Sequence, residues 1–334
     1  MPAKKRPVPV PTTETETPPI RKKLRHESDC DPPLLPGHYE VVPSNQARRR
    51  TISTMIVPAP TKFCRVELSA NATIDIIVGA IETTQKEMEE VIAAAVANPR
   101  LRFMCHGKPC TMRRHQSLYG ISSYRYSRVK VRSNGKAAPA LVKRCMVAEA
   151  ERRGIAFDAT WALVNVYTEA GDKISAHGDN ESEVGVQDPT IGPVVATYSF
   201  YLSQGVERRF VVSERKWDDD RKKYSGYTRR WEFRLPHGSC AVMSGKDSQQ
   251  AFHHEVKPMG KREAAAARDR GLSLVRISVT VRLKTEAMRR QDELRGAQAA
   301  QGPASPQPSS SQHIVAAAEH EHLRTGEATA EDTD

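Results

Sequence analysis

No stretch of the chain approaches the roughly 18 consecutive apolar residues that a membrane-spanning helix requires, so no segment is expected to cross a membrane. The N-terminus is rich in Lys, Pro and Thr and lacks the apolar central stretch of a secretory leader. Cysteine is sparse. Cys30, Cys64, Cys105, Cys110, Cys145 and Cys240 form no C-x-x-C pair and no dense framework, so reduced thiols in the cytosol or nucleus are expected rather than disulfides. Internal repeats are absent. Apolar residues make up 38% of the 334 positions and charged residues 27%. That suffices for one substantial domain with tails, but not for a core along the whole length.

Positive charge is what the chain has in excess. Its formal net charge of +11 favours a polyanionic partner, of which nucleic acid is the usual one. Part of the excess sits in Lys4-Lys5-Arg6 and Arg21-Lys22-Lys23-Leu24-Arg25. These clusters suit nuclear import, a nucleic-acid arm, or merely solvated charge. Residues 1–55 have few large apolar side chains and are expected to be a disordered, basic, Pro-rich tail. From about residue 285 to 334 the chain becomes Ala-, Gln-, Ser- and Pro-rich, then acidic, and reads as a helical stub followed by a disordered tail. A monomer located in the nucleus, the cytoplasm or both is expected.

Between the tails, residues 74–98 carry apolar residues near helical spacing, and Asn98-Pro99 would end that helix. Leu141 to Arg153 suits a second helix. From Trp161 onward strand-like runs follow one another, broken by a highly charged connection from Ser213 to Arg230 that reads as a long hairpin loop. Helices first and many short strands afterwards predict an α+β, mainly β chain: a two-sheet barrel with helices on one face.

The chemistry centres on Ile174-Ser175-Ala176-His177-Gly178-Asp179. Residues two apart on an extended segment share a face, so His177 and Asp179 present an imidazole and a carboxylate to one cavity. A further histidine from another strand would complete a two-His-one-carboxylate set, which leaves coordination positions open on Fe(II). Phe252-His253-His254-Glu255-Val256 offers two adjacent histidines. Alternation lets only one of them face the cavity, and pattern alone does not choose. Arg276-Ile277-Ser278-Val279-Thr280-Val281-Arg282 alternates strictly. A polar face in the last strand of a barrel is costly unless it binds something, and guanidinium forks match carboxylates. Six residues of strand span about 20 Å, so both arginines reach one small acid only if the strand curves.

In this order, Asn165-x-Tyr167, His177-x-Asp179, Phe252-x-His254-x-Val256-x-Pro258 and Arg276-x-Ser278-x-Thr280-x-Arg282 resemble the AlkB family of iron(II)/2-oxoglutarate dioxygenases. Tyr119-Gly120, Tyr124-Arg125-Tyr126-Ser127, and His237-Gly238-Ser239 leading to Met243-x-Gly245 add to the likeness, which covers residues 105–283. The resemblance implies a double-stranded β-helix (jelly-roll) over residues 160–284, supported by helices and a nucleotide-recognition lid over 56–150. It implies Fe(2+), 2-oxoglutarate and O2 as cofactor and co-substrates, and His177, Asp179 and His254 as iron ligands. Arg276 should then pair with the distal carboxylate of 2-oxoglutarate, and Arg282 should sit near its keto-acid end. Asn165 and Tyr167 should hydrogen-bond the co-substrate, and so could Ser278, which stands where many members carry Asn. Substrate contacts fall on Glu181, Tyr124, Tyr119, Arg113 and Arg125. The implied activity is oxidative demethylation of an N-alkylated base in DNA or RNA. The same chemistry on a protein side chain or an unmodified base, a nucleic-acid-binding module with a non-catalytic metal site, and a structural metal in a non-iron barrel are the alternatives.

Overall fold

The computed structural model of the chain describes residues 40–42, 52–57, 62–105, 108–126, 129–179, 184–185 and 192–300. In chain order its elements begin with β1 (Glu40–Val42), β2 (Ser53–Val57), β3 (Phe63–Ser69), β4 (Ala72–Ile77), α1 (Gln85–Val96), β5 (Arg102–Cys105) and β6 (Lys108–Thr111). Next come β7 (His115–Tyr119), β8 (Ser123–Tyr126), β9 (Val129–Arg132), α2 (Ala140–Arg153), β10 (Thr160–Tyr167), β11 (Ile174–His177) and β12 (Val195–Tyr201). The remainder are β13 (Arg209–Asp218), β14 (Lys223–Arg234), β15 (Ser239–Ser244), β16 (Phe252–Val256), α3 (Lys261–Asp269), β17 (Arg276–Leu283) and α4 (Glu286–Ala300).

Two sheets form the jelly-roll core. The larger has the order β3-β4-β15-β12-β17-β10-β7 and the smaller β1-β2-β14-β13-β16-β11. Both stay open, so the expected barrel is a pair of facing sheets rather than a closed cylinder. β17 lies between β10 and β12, both antiparallel to it, with Asn165 opposite Ser278 and Ser278 opposite Ser199. The strict alternation of β17 is explained by what covers each face. Ile277, Val279 and Val281 join Val164, Val166, Tyr198 and Phe200 in a core closed by Met88 and Val91 of α1 and Leu141, Val142 and Cys145 of α2. Thr280 and Arg282 turn the other way, into the space between the sheets. That space is otherwise filled by Ile74, Ile76, Phe210, Val212, Trp231, Phe233 and Phe252.

Local chemistry sets the helix boundaries. Thr84 caps α1, its hydroxyl accepting from the Glu87 amide while the Glu87 carboxylate accepts from the Thr84 amide. This reciprocal box satisfies two amides that the first turn leaves without partners. Gly154 ends α2 in the left-handed conformation at φ 65°, which glycine adopts without a Cβ clash.

Three expectations need correction. The helix expected over residues 74–98 begins only at Gln85, because Ala72, Ile74 and Ile76 are buried alternately and form β4. The charged connection 213–230 is the expected hairpin, but it is paired strand rather than loop, since β13 and β14 continue through it to Asp218 and Lys223. Order begins before residue 56, since β2 starts at Ser53 and pairs with β1; the rest of the 1–55 segment lies outside the described residues. The helical stub expected from about residue 285 is present as Glu286–Ala300. The first compact unit ends at Arg290, and the second, Gln291–Asp334, is described only through its helical residues.

Candidate metal centre and co-substrate cavity

A cavity opens between the sheets, lined by Asn165, Tyr167, His177, Asp179, His254, Ser278 and Arg282 among others. His177 ends β11, Asp179 follows two residues later, and the register places His177 opposite His254 of β16. One ligand atom from each of His177, Asp179 and His254 lies within 4.8 Å of the others. His177 Nε2 is 3.7 Å from Asp179 Oδ1, and His254 Nε2 is 3.6 Å from Asp179 Oδ2. The His177 Nδ1 nitrogen stands 2.9 Å from the Ser175 carbonyl oxygen. When that nitrogen carries the proton it donates there, and the imidazole then presents Nε2 as its lone-pair donor. His253 points the other way, 3.1 Å from the Tyr227 hydroxyl, so the pair of adjacent histidines divides as the family pattern implies.

The backbone between the two ligands has no spare room. A Cβ on Gly178 would stand 2.2 Å from the Gln249 carbonyl oxygen. The Gln249 side chain accepts the Asp179 amide at 2.9 Å. Gln249 thus holds the His-x-Asp turn, a role that sequence reasoning missed.

Electrostatics match a cation site. Burial pushes the His177 imidazole down to about 3, aided by the neighbouring His254. Burial likewise lowers His254, against the pull of Asp179. Burial alone would raise Asp179, but Arg282 and the two histidines offset it and hold the carboxyl at about 2. At neutral pH the set is two neutral imidazoles and one carboxylate, the protonation state that a divalent ion needs. Asp179 Oδ2 accepts no hydrogen bond among the described residues although it is buried. A buried carboxylate oxygen in that condition is costly without a cation, so the residues fit iron. Three protein donors leave room for co-substrate and oxygen.

Arg282 donates to Asp179 Oδ1 at 2.5 Å. Its guanidinium lies 4.9 Å from the ring centre of Trp161 and 5.1 Å from that of Tyr124. Arg276, at the opposite end of β17, is 1% exposed. It sits just beyond the cavity wall, 5.2 Å over the ring of Tyr167. It donates to Ser199 Oγ at 2.9 Å, while its Nε and Nη1 lack hydrogen-bond partners among the described residues. No acidic side chain ion-pairs with it there. A buried guanidinium with donors to spare fits the carboxylate of a 2-oxo acid. The two arginines on one strand differ here: one braces a metal ligand, and the other keeps donors to spare.

Asn165 is buried, and its Oδ1 accepts from Arg114 Nε at 2.7 Å and from Gln116 Nε2 at 2.8 Å. Both acceptor directions are thereby used, so the amide offers its NH2 donors to the cavity. Gln116 was missed as a site residue, and Arg114 is buried against Asn165 rather than exposed for a phosphate. The readable signal was alternation, since Arg114, Gln116 and Leu118 share one phase and Tyr119 the other.

The same phase corrects Tyr119. It lies in the core between the large sheet and α1 and α2, on the face away from the cavity, so it cannot touch a substrate there. Tyr124 is 1% exposed and packed on Trp161 at 5.0 Å, which makes it a brace for Arg282 in place of an open stacking surface. Arg113 and Arg125 are exposed. Glu181 lies outside the described residues.

Among solved structures, the chain is similar to OsALKBH1 at 15% identity and a TM-score of 0.38, covering 66% of this chain and 99% of that one. It is also similar to a prolyl hydroxylase from Trichoplax adhaerens, in complex with a hypoxia inducible factor oxygen degradation domain peptide fragment, at 12% identity and a TM-score of 0.37. That likeness covers 65% of this chain and 86% of the other. No curated protein matches the chain in sequence. A family model for the 2OG-Fe(II) oxygenase superfamily matches residues 68–282, a span that contains the His177, Asp179 and His254 cluster. The chain belongs to that superfamily, whose enzymes use Fe(II), 2-oxoglutarate and O2.

Proposed function

We propose that this oxygenase demethylates N-alkylated bases in nucleic acid, taking a single strand or a base turned out of a duplex. The observation that carries the reading is on the β8–β9 ribbon. Tyr124 and Val131 face inward as a pair, which places Arg125 directly opposite Lys130 on the outer side. Both cations are exposed, and neither is ion-paired among the described residues. Like charges facing each other across a ribbon are destabilising, and a phosphate backbone would relieve them. The ribbon is anchored through Tyr124 to Arg282, and so to Asp179. A strand held there stands beside the metal centre. The motif resemblance to the AlkB family and the net charge of +11 accord with this reading, and a nuclear or cytoplasmic location is proposed with it.

In it, Arg276 takes the distal carboxylate of 2-oxoglutarate, and the Asn165 amide, Tyr167 and Ser278 orient the rest. Arg282 fixes Asp179, Tyr124 and Trp161 hold Arg282 in place, Arg113 and Arg125 stand on the substrate side, and Glu181 keeps the base-contact role that the family resemblance implies. Bound iron, with 2-oxoglutarate and O2, supplies the oxidising chemistry that yields succinate and CO2 and inserts one oxygen atom into an N-methyl C–H bond. The hydroxymethyl product then loses formaldehyde and leaves the base with its N–H. Extruding a base from a duplex costs a few kcal/mol, which a single strand avoids.

The test is turnover of methylated single-stranded oligonucleotides with Fe(II), 2-oxoglutarate and ascorbate, following formaldehyde and succinate together, with His177→Ala as control. Formaldehyde that needs iron, oligonucleotide and His177 is the expected result. Oligonucleotides that give none, with succinate formed on a peptide instead, would overturn the choice of substrate and leave the oxygenase in place.

A further inference from the structure

The hairpin of β13 and β14 runs past the sheet that carries it. Along β16, Phe210 stands opposite Val256, Val212 opposite His254, and Glu214 opposite Phe252, where β16 begins. β13 continues to Asp218 and returns through Lys223. His177 is opposite His254 on the far side of β16, so the overhang leaves the sheet at the end that holds the metal ligands.

Two register shifts fix what the overhang displays. They set Ser213 opposite Arg230, Arg215 opposite Tyr227, and Trp217 opposite Tyr224, in succession along the hairpin. The result is a cationic and aromatic row. The Arg215 guanidinium lies 3.9 Å above the Tyr224 ring. Tyr224 meets Trp217 edge-on at 5.0 Å, and the Trp217 indole N–H donates to Asp219 at 3.1 Å. The indole is therefore oriented, yet it remains 46% exposed, while Trp161 and Trp231 are buried. Arg221, Lys222 and Lys223 at the turn are exposed. Of the nearby acids, Asp218 accepts from the Arg221 amide and the Ser225 hydroxyl and lies 3.9 Å from the Arg221 guanidinium, Asp219 takes the Trp217 indole, Glu214 accepts from Arg229, and Asp220 is exposed beside the three cations.

Lys222 adds an independent signal. At φ 47° it is the one non-glycine residue with positive φ among the described residues. Glycine or asparagine would sit there with less strain. A strained cation at a hairpin tip is a fold-level cost that points to use.

We propose that this hairpin face is a docking platform for the single-stranded nucleic acid that flanks the base entering the cavity. An unpaired base stacks on Trp217, while Arg221, Lys222 and Lys223 hold phosphates. An indole platform beside a basic track is the combination that binds single strands without reading their sequence. The inference rests on nucleic acid being the substrate.

The test uses the full chain and an unmodified thymidine oligomer of about 15 nucleotides, read by fluorescence anisotropy and by tryptophan emission. Because the other two tryptophans are buried, quenching on binding reports Trp217. Wild type should show quenching, and Trp217→Phe should abolish it. Trp217→Ala should weaken binding roughly ten-fold. Lys222→Gly should weaken binding and reduce the slope of log affinity against log salt by about 1, without lowering Tm. Demethylation of methylated oligonucleotides with no quenching, and with unchanged affinity in Trp217→Ala and Lys222→Gly, overturns the platform but not the proposed activity. Polyglutamate displacing the oligomer at equal charge concentration also overturns it. Absence of any oligonucleotide turnover, with succinate formed on a peptide, removes the substrate reading and this inference together.

Discussion

Arg282 and Asp179 meet across the cavity at 2.5 Å, one from the last strand of the large sheet and the other from just beyond β11 of the small one. Both are almost wholly buried. Removing one partner of such a pair leaves an uncompensated charge and costs about 3–5 kcal/mol. Arg282→Leu should therefore lower the metal-free protein's stability by about that amount in urea unfolding. Affinity for a spectroscopic substitute such as Co(II) should fall about 10- to 100-fold, the usual effect of removing a group that orients a ligand. Saturating metal should return part of the stability, since the ion itself neutralises Asp179. Unchanged stability and unchanged affinity together would refute the bracing role.

Arg276 makes the complementary case. It has no acidic partner among the described residues and keeps Nε and Nη1 unengaged. Hydrogen bonds to charged groups contribute about 1.5–3 kcal/mol, or roughly 10- to 100-fold in affinity. Arg276→Gln should raise the KM for 2-oxoglutarate by that factor while Co(II) affinity stays within about two-fold, because the ligands lie at the other end of β17. Loss of metal binding and co-substrate binding in equal measure would show that Arg276 supports the whole site rather than the acid.

Local patterns in the sequence carry much of this site. Strict alternation in 276–282 marks a buried polar face, and His177-x-Asp179 marks two donors on one side. Both are properties with period 2, which a sequence displays directly. Pairing across sheets is not local. Nothing in the sequence says that Arg282 meets Asp179, or that Arg114 and Gln116 converge on Asn165, because each contact depends on register between distant strands. Residues 74–98 mislead for another reason. Ile74, Ile77, Ile81 and Met88 fit helical spacing by coincidence, while the capping box that starts α1 lies at Thr84 and Glu87. The density of charge in 213–230 conceals the strand pairing of a hairpin whose side chains pair with one another rather than with a core.

Tyr119 and Tyr124 lie in different apolar clusters, and variants separate them experimentally. Tyr119 packs among Met88, Val91 and Leu141, so Tyr119→Phe should leave turnover on any substrate unchanged. Tyr119→Ala should cost about 3–5 kcal/mol of stability, the range for deleting a buried aromatic ring. Tyr124 lies 5.1 Å from the Arg282 guanidinium, and Tyr124→Leu should reduce metal affinity as well as stability. Equal effects of Tyr119→Ala and Tyr124→Leu on Co(II) affinity would contradict this assignment.

The capping box of α1 predicts a pH dependence with a definite sign. The Thr84 amide and then Arg144 hold the Glu87 carboxyl down at about 2, against an ordinary 4.5. A group depressed in the folded state stabilises it above the unfolded value, and that contribution disappears as pH falls from 4.5 through about 2. Glu87 is partly open to solvent, so screening reduces the effect, and the scale is that of a helix cap, about 1 kcal/mol. Glu214 is also depressed by Arg229 and contributes in the same direction, so the informative quantity is a difference between proteins. Between about pH 6 and pH 3, wild type should lose more urea stability than Glu87→Gln by about 1 kcal/mol. At pH 6 the variant should already be the less stable of the two. Parallel stability curves for the two proteins across that window would mean that the box closes in the structure without contributing to folding.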